Sequence, residues 1–227
     1  MTSNHYFNDS SEWLGTVQPF DRPRVVRTEY FFGLDLGQAH DPCAIAGLEY
    51  SEISVGRNLV TYKLLLERRL AFRHLERLPL DLDYPTIVER VGGRIASPQL
   101  RGSPITLVAD ATGVGRPVVD LLRRARLPCR LIPVTITGGD RETYESGHWR
   151  VPKRDLITGL LVLMQRGKID ICGHLPEAEA LVSELLNIRI KVSPEGHDTY
   201  GAWGEGEHDD LVVAAALACW RATHKIQ

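Results

Sequence analysis

Tyr30-Phe31-Phe32-Gly33-Leu34-Asp35-Leu36-Gly37 is an apolar run that carries a single carboxylate near its end. A strand in the middle of a sheet, covered on both faces, reads as a continuous hydrophobic run. Asp35 stands where such a strand would carry leucine or valine. A buried charge costs several kcal/mol unless it is paired or holds a cation. Gly37 then permits a turn or the close approach of another backbone or a ligand. Two readings of Asp35 follow: a functional carboxylate, or the end of an edge strand facing water.

Upstream of this strand, residues 1–24 are polar and without periodicity, with Pro19 and Pro23 near the end. They read as an N-terminal extension or linker remnant, with Phe7, Trp13 and Phe20 as points that could pin it to the domain. The domain itself is expected over 25–227. Residues 25–36 form its first strand, 43–50 a second, and 59–67 a third. In the third, Val60, Tyr62, Leu64 and Leu66 alternate with Thr61, Lys63 and Leu65. Residues 54–58, with Gly56, read as the turn between the last two. Three consecutive strands on short turns predict an antiparallel meander.

The rhythm then changes. Ile87, Val88, Val91 and Ile95 recur at helical spacing, with Pro85 where a first turn tolerates it. A strand at 105–110, a helix at 114–127 and a strand at 130–137 follow. This β-α-β order implies parallel pairing after the meander. Helices are expected at 153–166 and 177–187, a short strand at 169–171, and a β-hairpin at about 188–203. A last helix opens at His208 or Asp209 and runs to about 223. The expected class is therefore α/β, a mixed sheet with flanking helices.

Composition bounds the function. The 227 residues include 25% charged and 43% hydrophobic residues and carry a net charge of −2. These values suit one sizeable domain and argue against a generally basic nucleic-acid coat. They leave room for a nuclease, because an acidic metal site can offset a basic substrate groove. Cys43, Cys129, Cys172 and Cys219 form no CxxC pair, so neither a disulfide framework nor a zinc ribbon is indicated. The longest uncharged apolar run, 211–220, is too short for a bilayer, and no secretory signal is visible at the N-terminus. The expected location is the cytoplasm, with no membrane partner.

Two further carboxylate positions share the oddity of Asp35. Asp110 ends an apolar strand and leads into Ala111-Thr112-Gly113-Val114-Gly115. Functional groups gather beyond the carboxyl ends of parallel strands, although Asp is also a favoured turn and N-cap residue. His208-Asp209-Asp210 opens a helix, Leu211 to Trp220, that is apolar on nearly all sides. Capping and the helix dipole account for one acid there and less well for two. If the three element ends converge, their carboxylates repel unless protonated or bridged by a divalent metal. Mg²⁺ and Mn²⁺ take such oxygen ligands, and two ions together stabilise the attacking and leaving oxygens of phosphodiester hydrolysis.

The stretch from Leu34-Asp35-Leu36-Gly37 to Asp41-Pro42, together with Asp110-Ala111-Thr112-Gly113-Val114-Gly115 and His208-Asp209-Asp210, resembles the nuclease domain of phage terminase large subunits. That domain has the RNase H-like fold and is related to RuvC-type resolvases. The resemblance implies metal ligation and catalysis by Asp35, Asp110, Asp209 and Asp210. Asp35 would be the ligand shared by two Mg²⁺ or Mn²⁺ ions, with no nucleotide cofactor. Neighbours in a helix point about 100° apart, so which of Asp209 and Asp210 binds directly stays open. Asp41 and His208 are weaker candidates behind the ligands.

The resemblance further implies cutting of double-stranded viral DNA during genome packaging, in the host cytoplasm. The partners would be DNA and a separate packaging ATPase, a small terminase or a portal. Residues 194–198 fall where the family has a hairpin proposed to touch DNA or neighbouring domains. Arg141, Arg150, Lys153 and Arg154 are a basic cluster that could neutralise phosphates or simply be a solvated helix start. Complete large terminases also carry an ATPase motor, but no GxxxxGK[ST] loop is present.

A rival from another class is an actin-like or sugar-kinase-type ATPase, with Asp35-Leu36-Gly37 and Gly113-Val114-Gly115 as phosphate loops. Such enzymes need two domains around the nucleotide, whereas this chain has room for about one. A non-catalytic DNA-binding or assembly module of the same fold is the other alternative.

Overall fold

The computed structural model describes residues 17–37, 41–113, 115–192, 198–201 and 208–224. Strands β1 (Val17–Asp35), β2 (Ala44–Asn58) and β3 (Leu64–Arg77) come first, then α1 (Tyr84–Ile95), β4 (Ile105–Asp110), α2 (Gly115–Ala125) and β5 (Arg130–Thr137). They are followed by β6 (Thr143–Glu145), β7 (His148–Pro152), α3 (Lys153–Gln165), β8 (Ile169–Ile171) and α4 (Ala178–Asn187). The pair β9 (Arg189–Val192) and β10 (Asp198–Gly201) and the final helix α5 (Asp210–His224) complete the chain.

One mixed sheet runs in the order β6-β7-β5-β4-β1-β2-β3-β8. The meander β1-β2-β3 lies beside a parallel set in which β1 pairs with β4, β4 with β5, and β5 with β7. β8 adds parallel to β3, and β6 antiparallel to β7. β9 and β10 form a separate antiparallel ribbon. The loop of this expected hairpin, 193–197, lies outside the described residues.

Two compact units divide the described chain: residues 17–27 with Ser51–Arg68, and residues 28–50 with 69–224. In the smaller unit the strands differ from the sequence expectation. β1 begins at Val17, so 17–24 is strand and not part of a loose lead-in. The reversal between β2 and β3 falls after Asn58 and not at 54–58. Asn58 Oδ1 accepts from Val60 N (2.9 Å) and Thr61 N (2.8 Å), while Asn58 N donates to Lys63 O (2.9 Å). An asparagine side chain that mimics backbone in this way sets the turn. Gly56 has a different job: a Cβ there would lie 2.7 Å from Gln18 O, so its missing side chain admits the neighbouring strand. Val60 and Tyr62 consequently sit in or beside the turn, 70% and 73% exposed, and not on the buried side of a strand.

The larger unit is two cores on the faces of one sheet. Alternation along β1 sends Phe31 to the side of α3, α4 and α5, and Phe32 and Leu34 to the side of α1 and α2. Val108 and Val134 follow the first face, Leu107 and Ala109 the second. α1 behaves as its pattern predicts: Ile87, Val88, Val91 and Ile95 are buried, and Asp83 caps the helix by accepting from Thr86 N at 2.9 Å. α5 is buried from Asp210 to Trp220, as a helix apolar on every side must be. It rests directly on β1, because a Cβ at Gly33 would meet Ala214 O at 1.8 Å. The sequence reading did not anticipate the β6–β7 hairpin. Its turn is Ser146-Gly147 with φ of 51° and 85°, the geometry of a two-residue hairpin loop.

Candidate active site

The register places the first two carboxylates. Leu34 pairs with Ala109 across the parallel β1–β4 ladder, so the next step sets Asp35 beside Asp110. Both residues have the parity of Phe31 and Val108 and therefore face α5. α5 begins at Asp210, and Asp209 precedes it with its carbonyl accepting from Val213 N at 2.8 Å. Asp35, Asp110, Asp209 and Asp210 are thus drawn to one end of one sheet face.

Each carboxylate is held differently. Asp110, 9% exposed, accepts on Oδ1 from Thr112 N at 2.8 Å and from the Thr112 hydroxyl at 2.5 Å. Thr112 Oγ1 in turn accepts from Ile136 N at 2.8 Å, tying the loop after β4 to β5. A Cβ at Gly115 would lie 2.3 Å from Asp110 O, so the start of α2 packs against the same residue. Asp209 Oδ2 receives Lys153 Nζ at 2.6 Å. Asp210, 5% exposed, receives Arg77 Nε on Oδ2 at 2.8 Å, while its Oδ1 is buried without a hydrogen-bond partner. Arg77 Nη2 also bonds Glu184 Oε1, and Glu184 Oε2 accepts from Val212 N at 3.1 Å. Asp35 is half-buried among these groups.

The electrostatics follow from this crowding. Burial, and then the charges of Asp110, Asp209 and Asp210, hold the Asp35 carboxyl well above the ordinary range, with Lys153 opposing them. Burial also raises Asp110, against the Thr112 hydrogen bonds and Lys153. Burial and the neighbouring Asp210 push Glu184 up to about 7, against the Val212 amide and Arg77. Carboxylates that repel in a poorly solvated corner are stabilised by a cation.

Among the described residues no group of three His, Cys, Asp or Glu side chains stands ready to hold a metal ion. Asp209 and Asp210 are instead drawn onto Lys153 and Arg77. The donor chemistry nevertheless fits a hard divalent cation: Asp35, Asp110, Asp209 and Asp210 offer carboxylate oxygens, and the buried Asp210 Oδ1 has no hydrogen-bond partner.

The remaining expected residues lie as follows. His208 Nδ1 is 4.0 Å from Asp210 Oδ1. Asp41 is exposed. Lys153, expected to face DNA, has its ammonium on Asp209 within the acid cluster. Arg154 pairs with Asp140 and Asp155 at 3.4 Å each. Arg141 is exposed, and Arg150 lines a groove of about 370 Å³ with Arg116, Arg123 and His148. Arg150 pairs in register with Thr135, one step out of phase with Val134 and Trp149, so it faces the α2 side, away from the acid cluster. Trp149 packs edge-on to Trp220 at the margin of the core.

Arg77, Glu184 and Thr112 were not anticipated. Thr112 had a local signal, a hydroxyl two residues after a strand-end Asp. Arg77 and Glu184 had none, since Arg77 lies 133 positions from Asp210 and 107 from Glu184.

A mixed sheet in this strand order, with helices on both faces, is the RNase H-like fold. It is the fold of the large terminase nuclease from thermophilic phage G20c, solved with bound magnesium: TM-score 0.56 and 23% identity, over 89% of this chain and 90% of that one. The HK97 bacteriophage large terminase matches with TM-score 0.47 and 13% identity, over 90% of this chain and 43% of that one. Thermus thermophilus RuvC matches with TM-score 0.34 and 11% identity, over 86% and 96%. No protein-family model matches the chain, and no curated protein does.

Proposed function

We propose that this chain is a metal-dependent endonuclease that hydrolyses phosphodiester bonds of double-stranded DNA, of the kind used to cut viral genomes during packaging. The observation that carries the reading is the meeting of Asp35, Asp110, Asp209 and Asp210 at one end of one sheet face, with Asp210 Oδ1 buried and without a hydrogen-bond partner. In this reading the four carboxylates hold two Mg²⁺ or Mn²⁺ ions, which supply charge to the attacking water oxygen and to the departing ester oxygen. Water forms a bond to phosphorus as one P–O ester bond breaks, and the leaving oxygen takes up a proton.

The chain's own residues prepare this step. Thr112 fixes the Asp110 carboxylate, and the α5 start presents Asp209 and Asp210 together. Lys153 supplies a mobile positive charge at the rim, where it can pass from Asp209 to a substrate phosphate. In this scheme the nuclease works with a packaging ATPase, a small terminase or a portal, in the cytoplasm. Among the described residues no helix is long and apolar enough to cross a membrane.

The test is nicking of supercoiled plasmid by the purified chain with Mg²⁺ or Mn²⁺, compared with Asp35→Ala. Cleavage that needs metal and is abolished by the substitution is expected. Equal cleavage by both proteins would overturn the site. ATP turnover without cleavage would favour the kinase-like reading, and neither activity would favour a binding module.

A further inference from the structure

Behind Asp210 lies a pair of charged side chains that the hydrolytic scheme does not use. Arg77 closes β3 and Glu184 sits on α4, and both reach the first turn of α5. Glu184 is 7% exposed, and a buried glutamate is costly where an apolar residue could pack. Its two oxygens are both occupied: Oε1 by Arg77 Nη2 and Oε2 by Val212 N. The Val212 amide is the third in α5, a donor that a helix's own N-cap side chain ordinarily satisfies. Here another helix satisfies it, so that donor makes no demand on Asp209. Arg77 then spends its Nε on Asp210 Oδ2, and this fork fixes which oxygen of Asp210 is left over.

We propose that Arg77 and Glu184 are positioning residues for metal binding: together they clamp Asp210 Oδ2 and the α5 start so that Oδ1 is presented to the acid cluster before any ion arrives. The inference rests on the reading of Asp210 as a ligand. Its physical basis is preorganisation, since a carboxylate already fixed in its binding rotamer loses less freedom on binding. The opposite effect is also built in, because a guanidinium on Oδ2 repels a cation. The sign of the net effect therefore decides between a clamp and a mere counter-charge.

The experiment measures Mn²⁺ affinity of the full chain by electron paramagnetic resonance of the free ion, for wild type, Asp210→Asn, Arg77→Met, Arg77→Lys and Glu184→Gln. Near-UV circular dichroism establishes that each is folded. Arg77→Met and Glu184→Gln are expected to weaken binding by about 10- to 100-fold, as loss of partners behind metal ligands generally does. Arg77→Lys should recover part of the loss, since an ammonium can meet Asp210 but cannot fork to both carboxylates. If Asp210→Asn loses Mn²⁺ while Arg77→Met binds as tightly as wild type or more tightly, the clamp is refuted and the ligand stands. If Asp210→Asn binds like wild type, the ligand reading of Asp210 fails and the clamp falls with it. Should Arg77→Met not fold, Glu184→Gln decides by the same criteria.

Discussion

Replacing Asp35 by asparagine is expected to make the metal-free protein more stable while destroying its proposed activity. Asparagine keeps the shape and removes the charge. Adjacent strands lie about 4.8 Å apart, so ionised Asp35 and Asp110 sit roughly 5 Å from each other. Two like charges at that separation repel by about 3 kcal/mol at an effective dielectric of 20. Lys153 and partial solvation offset some of this, which leaves an expected gain of about 1–3 kcal/mol. For a chain of this length that corresponds to a rise in Tm of roughly 3–10 °C.

The pH dependence has a definite sign. The folded state holds the Asp35 proton more tightly than the unfolded state does, since its carboxyl is raised by burial and by three neighbouring acids. Between the ordinary carboxylate pKa, about 3.9, and the raised folded value, the native protein binds more protons, so wild-type stability falls as pH rises. Asp35→Asn lacks this loss. Its advantage should be small near pH 4 and grow toward neutrality in EDTA, followed by circular dichroism melts. Mg²⁺ or Mn²⁺ should then raise the wild-type Tm more than that of the variant. A variant no more stable than wild type at neutral pH in EDTA, or equal metal stabilisation of both, would refute the reasoning.

Two further perturbations probe the same corner. Lys153→Met removes the cation that lowers both Asp35 and Asp110, so their protons are held to higher pH. Nicking should fall about threefold or more near pH 6 and less at alkaline pH, and an acid limb that does not move in the pH–rate profile contradicts this role. Gly33→Ala places a Cβ where Ala214 O stands at 1.8 Å. The helix must lift, at a cost of about 1–3 kcal/mol or more, and nicking should be lost with it. Wild-type melting and nicking of this variant would show that the seat of α5 is not what sets the site.

The parts of this architecture that were legible in the sequence are those written into contiguous residues. Phe31 to Leu36 declares a doubly covered strand, and a period of two then assigns Asp35 to a face. The run from Leu211 to Trp220 declares a helix buried on all sides. The three acid-bearing ends could be named because each interrupts such a run. Where two local signals compete, the sequence points to the wrong one: Gly56 reads as a turn, but Asn58 makes the turn with its side chain and Gly56 serves a close strand contact. The Ser146-Gly147 hairpin was readable in principle, yet its strands are only three and five residues long, too short for alternation to show. Arg77 and Glu184 could not be read at all. They meet Asp210 only because β3, α4 and α5 converge in space, and an exposed-looking Arg or a helical Glu is ordinary in sequence.

The seat of α5 on Gly33 bears on which ions such a site would accept. Backbone lies on backbone there, with no side chain between to compress, and the helix is enclosed by its own buried residues. The backbones of β1 and α5 therefore stand at a fixed spacing, and only rotation of the aspartate side chains adjusts the gap between the carboxylates of β1 and β4 and those of α5. Mg²⁺ takes oxygens at 2.0–2.1 Å in a strict octahedron, while Ca²⁺ wants 2.3–2.6 Å and more ligands. In the proposed two-ion reading, a missing methyl group two residues before Asp35 sets the backbone spacing from which the carboxylates would reach an ion of either radius.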